Sequence, residues 1–123
     1  MPIAAFFEEV IARSLADGER KGCLLVNSAL DVAPHDAAIA QVVAGHLDEI
    51  RAFCRRNIAS AQASAQMPRT PDAGEISGHL LGVLLGMRVL ARTRPERAVL
   101  ESVVRPALRV LDNPTTRHRR RRT

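Results

Sequence analysis

The side chains able to do chemistry in this 123-residue chain are few and scattered. His46 and Glu49 stand three apart, which places them on one face of a helix. A di-metal bundle site reads Glu-x-x-His, the opposite order, and needs a second copy with further carboxylates. No other acid–histidine pair at helical spacing supplies them. His35 and Asp36 follow Pro34 at a helix start, where capping is the natural role. Ser28 has no base beside it in sequence. Cys23 and Cys54 lack metal-ligand spacing and are expected as buried, reduced thiols. His79 interrupts an apolar run and reads first as a hydrogen-bonded or partly exposed interface histidine. These groups predict no enzyme, no metal and no cofactor.

The elements that position them are helices. Ile3, Phe6, Phe7, Val10, Ile11 and Leu15 recur at three- and four-residue intervals and predict a helix over 3–15. Asp17-Gly18 ends it. Residues 22–33 read as a largely buried helix stopped by Pro34, with Asn27, Ser28 and Asp31 as a narrow polar strip. That strip is either solvated or lines a cavity. Asp36 opens the longest helix, to about Ser64, with an apolar stripe of Ile39, Val43, Ile50 and Phe53 that also contains His46 and Asn57. Ala65 to Pro71 form the clearest interior loop.

Asp72 then starts the stretch around which the chain is organised, 74–90, with Gly74, Gly78, Gly82 and Gly86 four apart. Glycine inside a helix costs roughly 0.8–1 kcal/mol relative to alanine. Close approach of another helix would offset that cost, whether from this chain or a second copy. The apolar run from Ile76 to Ala91 is shorter than the ~20 residues that span a bilayer, and no transmembrane helix is expected. Thr93 and Glu96 have capping-box spacing, with Pro95 in the first turn of a last helix. That helix runs to Leu111 and carries Pro106 as an internal bend or lost hydrogen bond.

Composition suits helices packing on helices. Apolar residues make up 46% and charged residues 25%, but there are three Phe and no Trp or Tyr. The net charge of +5 is misleading. Arg117, Arg119, Arg120, Arg121 and Arg122 lie in the last seven residues. Without them the basic residues fall to 13, matching the 13 acidic ones. The body is therefore neutral, and the basic character belongs to an end segment, 113–123, expected as disordered. No signal-peptide pattern opens the chain, and a cytoplasmic location is expected.

The string Gly22-Cys23-Leu24-Leu25-Val26-Asn27-Ser28-Ala29-Leu30 resembles the GCLLVNSALE signature in the C-terminal domains of TetR/AcrR-type transcriptional regulators. The Pro34-His35-Asp36 break, the long helix and the Ala-Gln-rich turn follow in the same order. Leu85-Gly86-Met87-Arg88-Val89-Leu90-Ala91-Arg92 is similar to the family's GLRVLAR. The turn at 61–67 departs by carrying alanine where the family often has glycine, which weakens the expected helix C-cap.

The resemblance implies an all-α, five-helix regulatory domain over 1–112. Its last two helices would pair with their copies as a four-helix bundle, making a homodimer. The implied interface joins Gly78, Gly82, Gly86 and Leu90 with Val99, Val103, Val104 and Leu108. Phe7, Ile11, Asn27, His46, Ile50, Phe53 and His79 are the expected lining of a pocket for a small apolar or amphipathic effector. Members of the family begin with a helix-turn-helix domain, for which this chain has no room. That predicts no specific DNA binding by the chain alone, and no membrane partner. A truncated gene product, a misassigned start codon or an excised piece would each explain it. Two other functions fit the residues: a standalone module that pairs with a full-length regulator, and weak polyanion binding through the arginine-rich end.

Overall fold

The computed structural model describes residues 2–16 and 31–111. Four α-helices account for most of them: α1 (Pro2–Ala16), α2 (Ala37–Ala63), α3 (Ala73–Thr93) and α4 (Arg97–Arg109). A short 3-10 turn, Ala33–His35, precedes α2. There is no strand among the described residues. The fold is all-α, as the periodicity predicts. Most of the helix expected over 22–33, with Cys23, Asn27 and Ser28, lies outside the described residues, as does the arginine-rich segment 113–123.

Both expected N-caps form. Asp36 Oδ1 accepts from the backbone N–H of Ala38 and Ile39 at 3.0 and 3.2 Å. Asp72 Oδ1 accepts from Glu75 N–H at 2.9 Å. Each supplies an acceptor for first-turn donors that have no partner within the helix, and each places negative charge at the positive end of the helix dipole.

The expected capping box does not form. Thr93 is the last residue of α3, and its hydroxyl donates back to Leu90 O at 3.3 Å. Glu96 is the N-cap of α4 and makes no side-chain cap bond. Pro95 falls in the connection rather than in the first turn. A Thr that can satisfy its hydroxyl on its own helix competes away the cap.

α3 touches each of the other three helices. Its buried residues Ile76, Ser77, Leu80, Leu84, Met87 and Ala91 repeat at three- and four-residue steps. Ile3, Phe7 and Ile11 of α1 join them in the core, with Cys54 and Ile58 of α2 and Leu100 and Val104 of α4. The polar atoms of this interior are satisfied locally. Ser77 is fully buried and its hydroxyl donates to Gly74 O at 2.9 Å. Asn57, within the apolar stripe of α2, donates from Nδ2 to Phe53 O at 2.9 Å.

α3 is 21 residues long, and by length and composition alone it is apolar enough to cross a membrane. The expectation from the apolar run alone falls short because the helix begins at Ala73, before that run. Its packing against three helices accounts for one apolar face, and His79 and Arg88 interrupt the remainder.

The turn from α2 to α3 keeps its geometry without glycine. Ala65 adopts φ 61°, in the left-handed region. Gln66 N–H donates to Ala61 O at 2.8 Å and Ala65 N–H to Gln62 O at 3.2 Å. This is the paired hydrogen-bond pattern of a Schellman C-cap. The Gln62 side-chain amide then donates to Pro68 O and Pro71 O, at 3.0 and 2.9 Å, tying the loop to the helix end. Buried Met67 anchors the loop in the core.

The left-handed penalty for an L-residue is ~1–2 kcal/mol, and glycine's extra unfolded-state entropy opposes relief by ~0.4–1 kcal/mol. Ala65→Gly is therefore expected to stabilise the fold by about 0.5–1 kcal/mol, read as a higher urea midpoint at unchanged slope.

Candidate functional site

A cavity of about 260 Å³ opens between α1, α2 and α3. α1 contributes Phe6, Val10 and Arg13; α2 contributes Ile50; α3 contributes Leu84, Leu85 and Arg88. Each helix brings the flank of its apolar stripe, while the centre of the stripe goes to the core. Phe6 is half-buried and rests on Phe53 with ring centroids 5.5 Å apart. It also meets Phe7 edge-on at 5.8 Å. This aromatic group braces the end of the cavity formed by α1 and α2.

The polar part of the lining is basic. Arg88 Nη1 donates to Ser14 Oγ at 2.7 Å, linking α3 to α1. Ser14 is buried, and its hydroxyl donates in turn to Val10 O at 2.8 Å. Arg13 pairs with Glu9 at 2.6 Å on the exposed side of α1. Among the described residues no acidic side chain lines the cavity.

Of the expected pocket residues, Ile50 lines the cavity and Phe53 packs immediately behind Phe6. Phe7 and Ile11 do not line it: both are buried in the core, and their neighbours Phe6 and Val10 face the cavity instead. One residue along a helix is a rotation of about 100°, enough to exchange core for cavity. His46 and His79 are exposed and also lie outside the lining. His46 Nδ1 sits 3.9 Å from Glu49 Oε2 on the solvent face of α2. Asn27 lies outside the described residues. Arg88 is the residue that periodicity missed, since it reads only as a break in an apolar run. The signal was an arginine at four-residue spacing from Leu84, on the same flank as a lining leucine.

The glycines lie on the other side of α3. Leu80 to Gly82 is two residues, a rotation of about 200°, so Gly78, Gly82 and Gly86 back onto the core stripe. A methyl group added at Gly82 or Gly86 would meet nothing within 4 Å. At Gly78 it would meet only the Arg51 side chain, at 3.3 Å, and at Gly74 the capping carboxylate of Asp72. Among the described residues, no helix uses Gly82 or Gly86 as a close-approach surface. Val89 continues this outward face and is 46% exposed.

α4 meets α3 through Leu100, Val104 and Ala107. Val104, expected at an interface, is instead core within the protomer at 2% exposure. Leu90, Val103 and Leu108 are half-buried against that core, and Val99 is half-buried. Arg97 ties α4 to α1 through Glu8 at 2.8 Å, and it also reaches Glu101 at 3.3 Å.

A family model for the tetracyclin repressor-like C-terminal domain matches residues 2–107. The chain belongs to that family. Tetracyclin repressor-like C-terminal domains are all-α regulatory domains that bind ligands and dimerise, and they are typically not enzymes. No curated protein and no solved structure matches the chain.

Cys54 lies 1% exposed in the core of this domain, and burial pushes its thiol above the ordinary range. The protonated thiol is an inert small hydrophobe in such a site. In a Cys23→Ser background, iodoacetamide at pH 8 is expected to label Cys54 only as fast as the protein unfolds, and at once in 6 M guanidinium. The raised folded-state value also fixes a direction for stability. The thiol ionises more readily in the unfolded chain, so stability is retained below about pH 8.5 and declines as pH rises past it.

Proposed function

We propose that this chain is the effector-sensing and dimerisation part of a TetR-type transcriptional regulator acting in the cytoplasm, with a homodimer as its working form. Family membership supports the general role. The single observation that carries the pairing surface is the outward face of α3. Gly82, Gly86 and Val89 present a smooth, apolar strip with no partner among the described residues. Two such strips can bring their helix backbones close, which is the one arrangement that offsets glycine's helix penalty there. On this reading the half-buried Val99 and Val103 of the adjacent α4 join the interface. This interface differs from the one implied by sequence, because Val104 serves the protomer core and Val89 joins the strip.

The cavity between α1, α2 and α3 is the effector site in this reading. It has apolar walls with a small number of polar groups, the composition of a small-molecule pocket. Its volume lies at the lower end for such pockets, so the effector is small. α3 lines the cavity with Leu84, Leu85 and Arg88 and forms the pairing strip with Gly82, Gly86 and Val89. One rigid helix therefore touches both the ligand and the second copy, a direct physical route for coupling between the two.

Gly82→Leu tests the interface cleanly, because open space surrounds that position in the protomer. The variant is expected to keep its helical circular dichroism while sedimenting as a monomer at concentrations where the wild type is dimeric. A Gly82→Leu protein as dimeric as the wild type would remove the glycine strip as the contact.

A further inference from the structure

We infer that the cavity takes a small amphipathic organic anion, a carboxylate with an apolar body, and that Arg88 is the group that binds its charge. This rests on the cavity being the effector site and adds the chemical class of the effector.

Arg88 is half-buried at the wall of the cavity. Its hydrogen-bond partner is the neutral hydroxyl of Ser14, and among the described residues no carboxylate lies within ion-pair distance of it. Ser14 gives its own proton to Val10 O, so toward Arg88 it can only accept. Being 3% exposed, Ser14 holds the guanidinium from a fixed point on α1. One N–H of the fork is thereby committed, and the others are left for a ligand. A partly desolvated guanidinium without an acid is under-compensated, and its planar donor pairs match a carboxylate in a two-pronged geometry.

Charge on the rest of the lining agrees. Arg13 stands at the exposed mouth, already paired with Glu9, and its field is screened there. Among the described lining residues none is acidic, so a cationic ligand finds no counter-charge among them. Phe6, Val10, Ile50, Leu84 and Leu85 supply the apolar wall. At ~30 Å³ per water, the space equals roughly nine waters, which suits a medium-chain or arylalkyl carboxylate rather than a long lipid.

The chain has no Trp or Tyr, so a single tryptophan reports on one place. Phe6→Trp puts that reporter on the cavity wall, insensitive to anions gathering at the arginine-rich end. The full chain carrying Phe6→Trp is titrated with octanoate, 1-octanol and octylammonium, three ligands of one chain length and different charge. Octanoate is expected to bind at least tenfold more tightly than either of the others. Adding Arg88→Gln is expected to lower octanoate affinity at least tenfold while leaving octanol unchanged, and Arg88→Lys to restore part of it.

Equal binding of octanoate and octanol, tighter binding of octylammonium, or an Arg88→Gln protein that keeps the anion preference would each overturn the inference and leave the cavity as an effector site. Should Arg88→Gln not fold, the ranking of the three ligands decides alone. If none of them shifts the reporter, and calorimetry on the unmodified chain also shows no heat of binding, the cavity is not a small-molecule site and the sensor reading of it falls as well.

Discussion

The packing of one helical surface carries this fold. Ile76, Leu80, Leu84 and Met87 of α3 are buried together, and α1, α2 and α4 each close on some part of that stripe. Without it the other helices have little reason to meet. Fully burying a leucine or methionine side chain contributes ~1.5–3 kcal/mol, so this row outweighs the exposed Arg97–Glu8 ion pair between α1 and α4, whose contribution in water is small. The polar contacts have a different task. Arg97 on Glu8 and Arg88 on Ser14 fix the orientation of α1, which apolar packing alone leaves adjustable.

The same helix has a second apolar side, and that sets the architecture. A helix in a globular protein commonly buries one stripe and wets the rest. α3 buries one stripe, lines a cavity with a flank, and turns glycines and Val89 outward. Three surfaces on 21 residues leave little of it for ordinary solvated side chains. This is why it can pass for a membrane-spanning helix by composition while sitting at the centre of a helical domain.

The helices and their two aspartate caps were legible because spacing and capping are local. The site was legible only in outline. Periodicity finds an apolar stripe, but a stripe has a centre and two flanks, and only the neighbouring helices decide which flank faces a cavity. Hence Ile50 lies on the cavity wall and Phe53 behind Phe6, while Phe7 and Ile11 go to the core and their neighbours Phe6 and Val10 face the cavity. Polar residues within a stripe proved ambiguous for the same reason. Asn57 turned to its own helix backbone, His46 to solvent, and Arg88, which looked like an interruption, became part of the lining. The α2–α3 turn shows the converse. Alanine replaced the favoured glycine, yet the turn survives because Gln62 and Met67 hold the loop from both sides.

Open space at Gly82 and Gly86 has a further implication in the proposed dimer. The protomer bears the backbone entropy of two exposed helix-interior glycines and recovers nothing from them by itself. Whatever is recovered comes at association. Folding and pairing are then linked by mass action: the native state gains stability as its own concentration rises and loses it on dilution. The cell's supply of subunits thus enters the fold's free energy as directly as any side chain in the core.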